Sequence, residues 1–431
     1  MVIYTSAASL RLQYVLNFIE SVIGQRIFII YDKAAFANFD TVKINYSNEE
    51  MGNEDYQIKP HPLLFQTNIS PVDITVSTCR NNSCFFIHDN DSHGFDVFAA
   101  IFYLISRYEE YLPYQPDMYG RFAHENSIAY KNNFLTIPLV NLWIIDLMER
   151  LSINSGPKQS PFFIPTYDID IAYAYKHQSI VKNVGGFFKT LLKGDIDQVI
   201  EQANVYSGKA NDPFDVYEWL NGLHAEYHLS PIYFFLLAQQ RGQYDKNNAP
   251  TGKGLQSLIK EHAKKYTVGI HPSWQSGDSE SILSSEIDSL KNIIGGMCTI
   301  SRQHYVRMTL PNTYRLLIKN GIKEDHSMGY GSINGFRASV TSPFYWYDLE
   351  KEEITNLIIR PYCYMDANCF FEQHLSAEEA GEELQYYYSI VKKVGGQFIT
   401  IFHNHFLTDQ PQWKPWKEMY ERFLRRMSHE I

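Results

Sequence analysis

Residues 162–175 read FFIPTYDIDIAYAY, and the way this stretch folds decides how the rest of the chain is read. An apolar, aromatic run carries two carboxylates one residue apart, Asp168 and Asp170, with greasy neighbours on both sides. Residues two apart on an extended chain point to the same side, separated by roughly 6.6 Å of rise. The two acids therefore face one space. Ionised carboxylates at the end of a buried strand are costly unless a cation holds them. Loop or helix-capping aspartates and a divalent-cation site are both compatible with this stretch alone.

Downstream of it the pattern is regular. Strand-like runs occur at FFIPT (162–166), PIYFFLLA (231–238), YTVGI (266–270), MCTIS (297–301), NLIIRPY (356–362) and QFITIF (397–402). Helix-length amphipathic stretches lie between most of them, at 215–228, 255–266, 280–294, 312–320 and 376–394. Such alternation predicts an α/β fold of parallel strands with crossover helices. Six or seven units predict a distorted (β/α) barrel of about seven strands, with a doubly wound sheet as the alternative. GxGxxG is missing, and TGKG at 251–254 lacks the spacing of a phosphate-binding loop, which argues against dinucleotide and nucleotide triphosphate chemistry.

Upstream, SINSGPKQSP (152–161) has no periodicity and marks the predicted boundary. A smaller N-terminal α/β domain is expected over residues 1–155 and the barrel over 162–431. The first part holds a strand at RIFIIY (26–31), an amphipathic surface helix through Leu12, Val15, Phe18, Ile19 and Val22, a helix from about Asp96 to Tyr111, and another around Leu142–Leu151.

The chain has 431 residues, 45% of them hydrophobic, and a formal net charge of −10. That is enough for a large core, and with no long block of Lys or Arg it disfavours nucleic acid or an anionic membrane surface as partner. The five cysteines, Cys79, Cys84, Cys298, Cys363 and Cys369, are scattered without a CxxC pair, so neither a disulfide framework nor a zinc–cysteine site is expected. The first residues lack the basic start and unbroken apolar run of a signal peptide. The most apolar segment, FDVFAAIFYLIS (95–106), is too short to cross a bilayer. A soluble cytoplasmic protein is expected.

In parallel α/β folds functional groups collect at the carboxyl ends of strands. Here the strand ends run into TYDID, HPSWQS (271–276), RQHYVR (302–307) and HNH (403–405). His403 and His405 share a face by the two-residue rule, and aspartate with imidazole suits zinc or a similar divalent ion. A lone histidine such as His271 is by itself more often structural than a ligand.

TYDID, HPSW, RQHY and FHNH, in this order, resemble the motifs of the polysaccharide deacetylases (carbohydrate esterase family 4, the NodB-homology fold). The resemblance covers about residues 162–431. FDVFAAIFYLISRYEEYLPYQPDMYGRF (95–122) is similar to the N-terminal domain of a longer subgroup of that family. The family likeness implies a general base at Asp168 and a metal ligand at Asp170, with Ile169 between two acids that are usually adjacent. It implies a metal ligand at His271, an arginine at Arg302 orienting the catalytic aspartate, and a general acid at His403. The second motif normally ends in a histidine where this chain has Gln275. The third metal ligand is therefore open among Gln275, Ser273 and His405, and weak or absent metal binding is an alternative. Arg337, in GFRAS, is open between a substrate contact and an ordinary salt bridge.

The resemblance implies a hydrolase that uses a divalent metal, zinc first, to remove N-acetyl groups from a sugar or polysaccharide intermediate. Three other functions compete: a glycoside hydrolase, a non-catalytic carbohydrate-binding protein on the same fold, and a hydrolase of another non-peptide C–N bond. Carboxylates that cleave a glycosidic bond must flank it, which two acids on one strand do not do.

Overall fold

A computed structural model describes residues 1–51, 56–153, 162–177, 196–240 and 242–428. The expected domain boundary, in the segment 154–161, lies outside the described residues. Strands are numbered in chain order. The first four, β1 Val2–Tyr4, β2 Phe28–Ile30, β3 Lys43–Asn45 and β4 Tyr56–Gln57, form a parallel sheet ordered β2-β1-β3-β4. Strands β5 Ser77–Cys79 and β6 Asn82–Cys84 form a hairpin. This hairpin corrects one expectation, because Cys79 and Cys84 are disulfide-bonded across it, their Cα atoms 5.9 Å apart. Pairing two strands brings together cysteines that look scattered in the sequence. The other three cysteines are free and buried.

The large sheet contains β7 Phe162–Ile169, β8 Ile232–Leu236, β9 Thr267–His271, β10 Ile300–Ser301, β11 Glu324–Asp325, β12 Phe344–Asp348, β13 Glu353–Ile359, β14 Tyr364–Met365 and β15 Gln397–His403. Its order is β12-β13-β11-β10-β9-β8-β7-β15-β14. Every pairing is parallel except β12 with β13. The α/β class and the parallel sheet are as expected, whereas among the described residues no ladder joins β14 back to the other end to close a barrel. Strand pairing depends on contacts far apart in the chain, so the six strand-like runs do not fix it.

Helices Tyr217–Glu226, Lys253–Lys265, Glu280–Ile294, Asn312–Lys319 and Ala377–Val394 occupy the intervals between strands where the amphipathic stretches lie. Each buries an apolar stripe; Leu384, Tyr387, Val391 and Val394 of the last do so, and that helix packs on β15 and on helix Lys414–Ser428. Ser376 and Glu379 form a capping box at its start.

The apolar run after Asp96 forms helix Val97–Ile105, all nine residues buried, with the Asp96 carboxylate capping the N–H groups of Phe98 and Ala99. It stops short of Tyr111 because Arg107 takes a left-handed conformation (φ 56°) and a 3₁₀ turn, Tyr108–Tyr111, follows. Arg107, Glu110 and Arg337 then lock the N-terminal part to the loop after β11. Glu110 accepts two hydrogen bonds from Arg337, from Nε at 2.8 Å and Nη2 at 2.6 Å, and one from Arg107 Nε at 2.7 Å. Arg337 is thus a buried structural ion pair. Among the described residues no helix is long and apolar enough to cross a membrane.

Candidate metal centre and active site

Register sets the site. In the β15–β7 ladder His403 lies beside Asp168, and in the β8–β9 ladder His271 ends its strand beside Leu236. These strand ends surround an open cavity of about 430 Å³ lined by Asp168, Asp170, His271, His304, His403 and His405.

Asp170 is the hub. Its Oδ1 lies 3.3 Å from His271 Nε2, and its Oδ2 lies 3.6 Å from His304 Nε2 and 3.8 Å from His403 Nε2. Asp170 Oδ1 and His271 Nε2 are buried yet have no hydrogen-bond partner among the described residues, an arrangement costly for polar atoms left to themselves. One ligand atom from each of Asp170, His271 and His304 can be chosen so that all three lie within 4.8 Å of one another. Bonds of about 2.1 Å at tetrahedral angles put neighbouring ligand atoms about 3.4 Å apart, close to the 3.3 and 3.6 Å found here. The outer nitrogens are occupied: His271 Nδ1 bonds to the Arg302 carbonyl at 2.5 Å and His304 Nδ1 to Asp245 Oδ1 at 2.9 Å. Both Nε2 atoms are left facing inward, the orientation a metal-bound imidazole needs. The donor set fits a divalent ion of the zinc class.

The charges agree with a site built for a cation. Burial alone would raise the Asp170 carboxyl, but His304, His271 and His403 beside it hold it well below the usual range. Burial would lower His304, yet Asp170 and Asp245 carry it up to about 9. A cation in this place competes with that proton.

Next to the triad, Asp168 is 3% exposed. Its Oδ1 accepts from Arg302 Nη1 at 2.8 Å, and the same nitrogen donates to Thr166 Oγ1 at 2.6 Å. The guanidinium sits 4.4 Å from the Phe234 ring centre. Asp168 Oδ2 stays on the cavity side, 3.7 Å from His271 Nε2. On the other flank His403 Nδ1 donates to Asp366 Oδ1 at 2.6 Å, and Asp366 Oδ2 accepts the His403 backbone N–H at 2.7 Å. Burial disfavours the imidazolium, but Asp366 raises His403 to about 10.

The structure thus brings together Asp168, Asp170, His271, Arg302 and His403. It does not bring in Gln275, whose side chain donates to the Gln240 carbonyl outside this cavity. Ser273 is occupied with Glu286 and Ser276. His405 lines the cavity, its ring 5.4 Å from that of His403, but stands outside the triad. The third member of the triad is His304, two residues after Arg302 in RQHY, where the two-residue rule applied to the aspartates also puts it beside the site. Asp366 and Asp245 escape a reading of the sequence, since one opens the helical turn after β14 and the other lies in the loop after β8, neither with a spacing signature.

Residues 1–154 match a family of unknown function (DUF7033). No curated protein matches the chain. Among solved structures, a putative polysaccharide deacetylase from Mycobacterium smegmatis is 14% identical with a TM-score of 0.40, covering 64% of this chain and 86% of that one. A probable polysaccharide deacetylase from Pseudomonas aeruginosa is 12% identical with a TM-score of 0.38, covering 64% and 89%. A GH57 branching enzyme from Thermococcus kodakaraensis is 9% identical with a TM-score of 0.35, covering 63% and 69%. At these values the likenesses are remote, and function has to be read from the geometry of the site.

Proposed function

We propose that this protein is a metal-dependent hydrolase that removes N-acetyl groups from a sugar or glycan. The observation that carries the reading is the meeting, in one open cavity, of an Asp–His–His ligand set with an arginine-held aspartate and an aspartate-held histidine. Asp170, His271 and His304 would hold the cation. When bound, such an ion supplies Lewis acidity and a water acidic enough to react near neutral pH.

The chain's own residues do the rest. Arg302 and Thr166 fix the position of Asp168, so that its Oδ2 faces the cavity and takes the proton of the attacking water. Asp366 keeps His403 protonated, with Nε2 turned to the cavity, and Nε2 gives its proton to the departing nitrogen. Amide cleavage needs that proton, because an amine anion is a poor leaving group. Both acids at the centre come from the end of β7 and the bend directly after it, and Asp168 is committed to Arg302, which disfavours the flanking geometry of glycosidic cleavage.

The test combines elemental analysis with acetate release from an N-acetylated chito-oligosaccharide. Asp168→Asn is expected to keep its metal and lose activity by roughly 10²–10⁴-fold. Asp170→Asn is expected to lose both. Equal metal content in Asp170→Asn and the parent would refute the assignment.

A further inference from the structure

The cavity wall contains a piece of the N-terminal part that neither metal binding nor proton transfer uses. The turn Asp117–Arg121 is built tightly. Asp117 Oδ1 accepts the N–H groups of Tyr119 and Arg121, both at 2.9 Å, and Gly120 takes φ 77°, which a side chain would resist. Arg121 is then tied at both ends: Nε donates to Asp117 Oδ2 at 2.6 Å and Nη1 to the Tyr305 carbonyl at 2.8 Å. Its guanidinium lies 4.6 Å from the Tyr119 ring centre. Tyr119 in turn lies 5.2 Å from Tyr305, at an interplanar angle of 31°. Both tyrosines line the cavity that holds the metal centre, and both are half-buried. Tyr305 is the residue after His304 and holds a left-handed backbone (φ 57°), an unfavourable conformation kept beside the site.

This wall places two tightly held aromatic rings at a polar, solvent-open space. Phe371 faces the same cavity from the segment after β14 and is 56% exposed. In the sheet, β10, which leads into Tyr305, lies on one side of β7, and β14 lies on the other. Aromatic rings on both flanks of a reacting centre suit a ligand with alternating apolar faces and polar edges that extends past the centre. A pyranose chain has that character: its C–H faces pack on aromatic rings while its hydroxyls stay at the rim.

We infer that Tyr119, held by Arg121 against Tyr305, is a sugar-stacking subsite, so that the N-terminal part completes the cleft and the substrate has at least one sugar residue beyond the N-acetylated one. This rests on the reading of the site as a glycan deacetylase.

The test is calorimetric titration of the full chain, Tyr119→Ala and Tyr119→Phe with N-acetylglucosamine and with its β-1,4-linked tetramer, alongside acetate release. The parent is expected to prefer the tetramer, Tyr119→Ala to lose about tenfold of that preference, and Tyr119→Phe, which keeps the ring, to retain it. Tyr119→Leu fills the space without a ring and replaces the alanine variant if thermal melting shows that one unfolded. Binding is read without turnover. Tyr119-dependent tetramer preference without acetate release supports the subsite and overturns the chemistry. Acetate release with the same tetramer-to-monomer ratio in Tyr119→Ala and the parent overturns the subsite alone. A parent that binds neither sugar also overturns it.

Discussion

At His304 the centre takes an imidazole from the turn after β10, and Asp245 behind it decides which ring nitrogen faces inward. His304→Ala should therefore leave the purified protein with little bound zinc, while Gln275→Ala should match the parent; plasma mass spectrometry after dialysis reads both. Asp245→Asn keeps the ligands but loosens their orientation, and is expected to weaken zinc affinity about 10–100-fold. Asp366 acts on His403 in a different way, since it raises the imidazole to about 10. Asp366→Asn should move the alkaline limb of the pH–rate profile to lower pH, because the proton needed by the leaving nitrogen is then lost earlier; an unmoved limb would exclude that role. Asp168, Asp170, His271 and His403 can be picked out of the sequence because each is a polar residue ending an apolar strand. His304 is hidden by the expectation of two histidines in one motif. Asp366 follows a strand of two residues, Tyr364–Met365, too short to leave a periodic signal.

At the scale of elements the same rule separates what the sequence shows from what it conceals. Long amphipathic helices such as Glu280–Ile294 and Ala377–Val394 repeat their apolar stripe often enough to be read directly. Strands β11 and β14, two residues each, offer no such repeat, and their places in the sheet come from partners far along the chain. The buried ions Arg107, Glu110 and Arg337 join two of these distant pieces. Glu110 lies within hydrogen-bonding distance of both arginines, and each of the three is almost wholly buried. Glu110→Gln would leave the Arg337 guanidinium without its carboxylate partner, while Arg107 keeps Glu109 at 2.8 Å, with an expected loss of about 3–5 kcal/mol in urea unfolding. A loss below about 1 kcal/mol would mean that water reaches the cluster.

For the molecule as a whole, histidines shifted in opposite directions set the dependence of stability on pH. Burial lowers His224 to about 3 and, with Arg150 nearby, His93 to about 4. Folded pKa values below the unfolded 6.5 give stability that is present above pH 6.5 and lost as pH falls. Taking the protein from pH 7 to pH 5 should cost about 2 kcal/mol for each of the two. His304 and His403 run the other way: with folded values of about 9 and about 10, their contributions are complete below pH 6.5 and disappear as pH rises through those values. These four histidines alone thus favour the metal-free fold most near about pH 6.5–7, while the buried Glu286 and Asp96 carboxyls, raised to about 7 and about 6, offset part of the loss on the acid side. Zinc takes the nitrogen of His304 that would otherwise carry a proton, so it binds more tightly as pH rises and should raise the melting temperature more at pH 9 than at pH 6. Calorimetric scans across that range, with and without zinc, read the whole pattern at once. An equal zinc shift at both pH values would remove His304 from the ligand set, whatever its distance from Asp170.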